Sequence, residues 1–100
     1  MISIENYTDR IVICGHAGAA VHGESVPCEA VTVLCNTLAG SLRELTAADP
    51  EYVIRSGYFY ISKESLDEHG ALLIRAFLLG LRMVAEAYPE YINFSDMTEH

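Results

Sequence analysis

The sequence predicts a single α+β domain over residues 1–100, ordered β-β-α-β-β-α, with a mostly antiparallel sheet and two helices. Three observations carry that expectation. Two stretches rich in β-branched and aromatic residues each break at a short polar or glycine-containing turn, the pattern of a hairpin. Two longer stretches repeat apolar residues at helical spacing. Finally, one hundred residues, about half of them apolar, allow one modest core and disfavour disorder.

Each element follows from its residues. "MISIENY" alternates Ile2 and Ile4 with Ser3 and Glu5, "TDR" turns, and "IVICG" returns, giving the first hairpin. A glycine-containing segment spans Gly15 to Glu24. Ser25 and Pro27 then mark a helix start, because serine caps free backbone N–H groups and proline has none to leave unpaired. Val31, Leu34, Cys35, Leu38, Leu42 and Leu45 form the apolar stripe of that helix, with Cys28 at its head, and "ADPE" ends it. "YVIRSGYFYIS" reads as a second strand pair turning at Ser56 and Gly57. The second helix runs from about Leu66 to Tyr88 and stops at Pro89, leaving "EYINFSDMTEH" as a tail with room for a short strand. Its polar positions Arg75, Arg82 and Glu86 occupy one narrow stripe among many leucines. A helix in so small a domain normally shows water a broader polar face, so a homodimer with this helix at or near the interface is expected.

Charge narrows the function classes. Fourteen acids against six bases give a net charge of −8, spread along the chain. No cluster of Lys and Arg exists to track phosphates, which disfavours direct nucleic-acid binding and makes a basic protein or peptide the better electrostatic partner. The most apolar segment, "ALLIRAFLLGLRMVAEAY", is interrupted by Arg75 and Arg82 and is not expected to enter a membrane. No basic leader with an apolar core opens the sequence. The expectation is a cytoplasmic protein whose three cysteines, Cys14, Cys28 and Cys35, are free thiols.

The stretch "CGHAGAAVHGESVPCEA" concentrates the chemistry. A helix N-terminus offers unpaired N–H groups and a positive dipole end, both of which favour a thiolate, the nucleophilic form of cysteine. Cys28 stands there, and the segment before it is long enough to bring His16 back as its base. In that arrangement Cys28 attacks a carbonyl carbon, His16 holds the proton, and first-turn N–H groups steady the oxyanion. The competing reading is packing, because Cys28 heads an apolar stripe. Cys14, His16, His22 and Cys28 also raise the question of zinc, but they lack the close Cys-x₂₋₄-Cys or His-x₃₋₅-His spacing of structural sites. No phosphate-loop motif is present, and no metal or cofactor is implied. Cys35 and Cys14 read as packing, and "YFY" at 58–60 as sheet packing. His22 is a solvated or substrate-contacting loop residue. Glu24 and Glu29 flank the site and suit a basic chain. Gly15, Gly18 and Gly23 would let the segment lie open and close over a bound peptide.

Gly15-His16-Ala17, then Cys28 at the start of a helix, together with "SGYFYIS" and "LLIRAFLLGLRMVAEAYPEYI", resembles the ribosomal-processing cysteine proteases over essentially the whole chain. These are small bacterial proteins once grouped as a domain of unknown function. The resemblance implies a β-β-α-β-β-α fold, dimerisation, and a dyad of nucleophile Cys28 and base His16. It also implies a substrate, the bacterial large-subunit ribosomal protein twenty-seven, whose N-terminal extension is removed after aromatic residues. Two positions depart from the family pattern. Many members carry aspartate where this chain has Ser25, and commonly valine where it has Pro27. Serine still caps a helix but stabilises an imidazolium less well. Two alternatives therefore remain open: a phage-type protease with a different protein substrate, and a non-catalytic dimeric protein that binds a basic peptide or ribosomal protein.

Overall fold

The computed structural model describes residues 1–15 and 25–97, with the Ser25 side chain outside that set. The described elements are β1 (Ile2–Tyr7), β2 (Arg10–Cys14), α1 (Ser25–Leu45), β3 (Tyr52–Arg55), β4 (Tyr58–Ser62), α2 (Glu68–Ala87) and β5 (Ile92–Met97). They build one five-stranded sheet in the order β3-β4-β2-β1-β5. The expected two hairpins and two helices are present and the sheet is mostly antiparallel. The tail does more than expected: it supplies a full fifth strand, parallel to β1.

Side-chain alternation explains where the core lies. Successive residues of a strand face opposite sides, so Ile2 and Ile4, Ile11 and Ile13, and Phe59 and Ile61 all project to one face and are buried. The register aligns them into a row across the sheet, Phe94, Ile4, Ile13, Phe59 and Ile54, one from each strand. Two helical stripes complete the core, Val31, Cys35, Leu38 and Leu42 from α1 and Ile74, Phe77 and Leu81 from α2. The helices approach closely at Gly80, where an added Cβ would lie 3.0 Å from a Leu34 methyl carbon.

The boundaries of α2 follow from capping chemistry. Asp67 accepts a 2.7 Å hydrogen bond from the Gly70 N–H, and Glu68 adds negative charge to the first turn. At the far end Tyr88 and Pro89 stop the helix. The Tyr88 carbonyl then accepts from the Tyr91 and Ile92 N–H groups, turning the chain into β5.

A polar cluster anchors β5. Asp96 accepts from the Asn6 amide at 2.8 Å and pairs with Arg82, whose guanidinium also lies 4.4 Å over the Phe94 ring. The Asn6 hydrogen bond and then Arg82 hold the Asp96 carboxyl below the usual carboxylate range. A depressed carboxyl contributes stability that is present above its unfolded-state pKa and is lost as pH falls through the lower folded value. Because the pair is half exposed, the contribution is at most about 1 kcal/mol. Thermal unfolding between about pH 6 and about pH 2 should therefore show a smaller acid-induced drop in Asp96→Asn than in the native chain. Equal drops would assign the acid sensitivity to other carboxylates.

Candidate active site

The candidate site forms where the start of α1 meets the β3–β4 turn. Cys28 is the fourth residue of α1. Helix N–H groups in this first turn have no partner within the helix, and the third residue, Pro27, has none to offer. The buried Pro27 ring is also compatible with the first turn, the one part of a helix that tolerates proline. Ser25 is the first helical residue rather than the residue before the helix. Cys28 is half-buried and packs against the core cluster, so the packing expectation and the site expectation meet in one residue. Its carbonyl accepts a 2.9 Å hydrogen bond from the Thr32 hydroxyl, one turn along.

Cys28 opens into a cleft of about 430 Å³. Ile2, Ile13, Val31, Cys35 and Phe59 make it apolar, while the Ile54–Tyr58 hairpin end forms a wall. Gly15 lines the same cleft, and its N–H donates to the Gly57 carbonyl at 2.9 Å. That bond ties the end of β2 to the β3–β4 turn. Two glycines make the junction feasible: Gly15 has φ +100° and Gly57 φ +74°, conformations that side chains disfavour. At Gly15 a Cβ would also run into the Met1 carbonyl oxygen. Thus Cys28 and the residue immediately before His16 border one cavity. His16, Gly18, His22 and Gly23 themselves lie outside the described residues.

The other two cysteines separate cleanly. Cys35 lines the base of the cleft but is buried, and burial pushes its thiol up to about 12, which keeps it protonated and unreactive at neutral pH. Cys14 corrects an expectation. In place of the expected packing it is exposed, because β2 alternation directs Ile11 and Ile13 to the helices and Cys14 to the opposite face.

Sequence reasoning missed the cleft wall. Tyr58 and Phe59, read as sheet packing, line the cleft along with Ile54, Arg55, Ser56 and Gly57. The only local sign was the Ser56–Gly57 turn; the contact with Gly15 joins residues far apart in the chain.

No curated protein matches the chain. Among solved structures, the essential ribosomal processing protease Prp from S. aureus, bound to a covalently linked product peptide, superposes with a TM-score of 0.86 at 20% identity. The match covers 97% of this chain and 100% of that one. The same protease with a substrate peptide gives 0.87 at 19% identity, with the same coverage. SMU.848 from Streptococcus mutans gives 0.82 at 28% identity, covering 98% of this chain and 93% of that one. Likeness at such identities is likeness of fold. The profile of the family described as cysteine protease Prp goes further, matching residues 1–93, a span that includes the cleft and Cys28 at the head of α1. By that match the chain belongs to the Prp family of cysteine proteases.

Proposed function

We propose that the chain is a cysteine endopeptidase that removes the N-terminal extension of ribosomal protein twenty-seven in the cytoplasm, with Cys28 as nucleophile and His16 as base. The observation that carries this reading is the placement of Cys28 at the first turn of α1, facing an apolar cleft that Gly15 also borders. Such a cleft suits the aromatic side chain after which the family resemblance expects cleavage. The net charge of −8 favours a basic ribosomal protein as partner. No helix among the described residues is long and apolar enough to cross a membrane.

The chemistry follows from these positions. The Cys28 sulfur adds to the scissile carbonyl carbon, and first-turn N–H groups of α1 stabilise the oxyanion. The C–N bond then breaks as the His16 imidazolium protonates the departing amine, leaving a thioester on Cys28. Water, losing its proton to His16, attacks the thioester, releases the new carboxyl end and restores the thiolate. Mass spectrometry of the extended ribosomal protein incubated with the native chain should show one cut near the N-terminus. Tight binding without a cut would support a binding protein instead; neither would discard this substrate.

Dimerisation belongs to the same reading. Leu72, Leu79 and Met83 lie on one exposed face of α2, between about 58% and 62% accessible. A second copy covering this face would remove them from water. Light scattering at micromolar concentration should give the mass of a dimer, and Met83→Glu should shift it to a monomer. A monomeric native chain would refute the interface.

A further inference from the structure

We propose that the peptide substrate binds as an added strand along the free edge of β3, lying in the groove between β3 and α1 that leads to Cys28. This rests on the protease reading and specifies how that site holds its chain. Three observations carry it.

The first is the state of the edge. Among the described residues β3 is the last strand of the sheet and pairs only with β4. All four of its residues are exposed, and three of them, Tyr52, Val53 and Ile54, are large and apolar. Proteins usually guard such edges with charged residues, proline or a bulge, and within its span β3 carries only Arg55, at its turn end.

The second is the direction of its backbone groups. The Ser62 N–H donates to the Glu51 carbonyl at 2.9 Å, and Glu51 continues the register in which Tyr52 faces Ile61 and Val53 faces Tyr60. Hydrogen-bonded positions alternate along an antiparallel pair. Glu51, Val53 and Arg55 therefore bond to β4, while the N–H and C=O groups of Tyr52 and Ile54 point outward. These are the groups that an extended peptide would pair with.

The third is continuity with the cleft. Ile54 and Arg55 form part of the cleft that contains Cys28. Two residues away Tyr52 borders a second hollow of about 270 Å³, roofed by Ala39, Leu42 and Arg43 of α1. From Cys28 to Arg43 the helix runs about 22 Å, the length of six or seven extended residues at about 3.3 Å each. Asp49 and Glu51 stand exposed at the far end, opposite in sign to a basic chain, while Arg43 is paired with Glu44. Side chains of an added strand alternate, so those facing α1 would meet Ile54 in the cleft and Tyr52 in the hollow. The recognised segment should thus carry apolar residues at an even spacing.

Residue-resolved amide exchange tests the track. The probe is a peptide spanning the processing site of the extended ribosomal protein, added to full-length Cys28→Ala, with cleavage by the native chain followed in parallel. The peptide should slow exchange at the Tyr52 and Ile54 amides by at least about tenfold and leave Val53 and Arg55 unchanged. A peptide that is cleaved, yet slows neither Tyr52 nor Ile54, would overturn the track and leave the protease reading standing. Slowing without cleavage would keep the track and reject the protease. A peptide neither cut nor bound would reject both. Protection of the two amides without peptide, rising with protein concentration, would assign the edge to a second copy and overturn the proposal.

Discussion

Cys28→Ala should abolish cleavage of the extended ribosomal protein, lowering kcat/KM by on the order of 10⁴-fold or more, while the domain stays folded. The size of the loss follows from the nucleophile role proposed for Cys28. Without sulfur no thioester forms, and what remains is whatever the apolar cleft and the α1 N–H groups contribute by binding alone. The fold should survive because Cys28 is only half-buried and lies at the head of the core stripe, whose body is Val31, Cys35, Leu38 and Leu42. His16→Ala should fall nearly as far, since two residues acting as one unit are not additive. Mass spectrometry over a time course, with thermal unfolding of each variant, separates loss of chemistry from loss of structure. Cleavage persisting in Cys28→Ala would move the nucleophile elsewhere.

Phe77→Ala should cost about 3–5 kcal/mol of unfolding free energy. The ring is buried, 4% accessible, and stands with its centroid 5.6 Å from that of Phe59 in a tilted arrangement. Truncation removes both the buried area and the aromatic contact, and the surrounding core residues, Ile74 and Leu81 on the same helix and Leu38 on α1, are held by helix packing that collapses only in part. A domain of this size has about 5–15 kcal/mol in all, so the variant should unfold at much lower urea concentration. Function should also suffer, because Phe59 is both the partner of Phe77 and part of the cleft wall. A loss below about 1 kcal/mol would mean that the helix pair repacks freely.

Much of this architecture is local. The Ile2/Ile4 and Ile11/Ile13 alternation, the stripe headed by Cys28, and the turn at Ser56–Gly57 each report their element through the immediate sequence. The last strand was less legible. "INFSDM" contains Asn, Ser and Asp, which are poor strand formers, and it becomes a strand by pairing with β1 and by the Arg82 and Asn6 contacts to Asp96. Cys14 was misread because alternation specifies two faces without saying which one the helices cover.

By itself the sequence determined the first four strands and the two helices, and through resemblance it pointed to His16 and Cys28 as the pair to test, since each depends on residue type and short spacing. Only the tertiary structure decided that Gly15 meets Gly57, that Cys28 and the β3–β4 turn share a cleft, and that β3 is the edge strand among the described residues. These contacts join distant segments, and strand order is set by which pairings bury the most apolar surface together, a property of the whole chain rather than of any stretch within it.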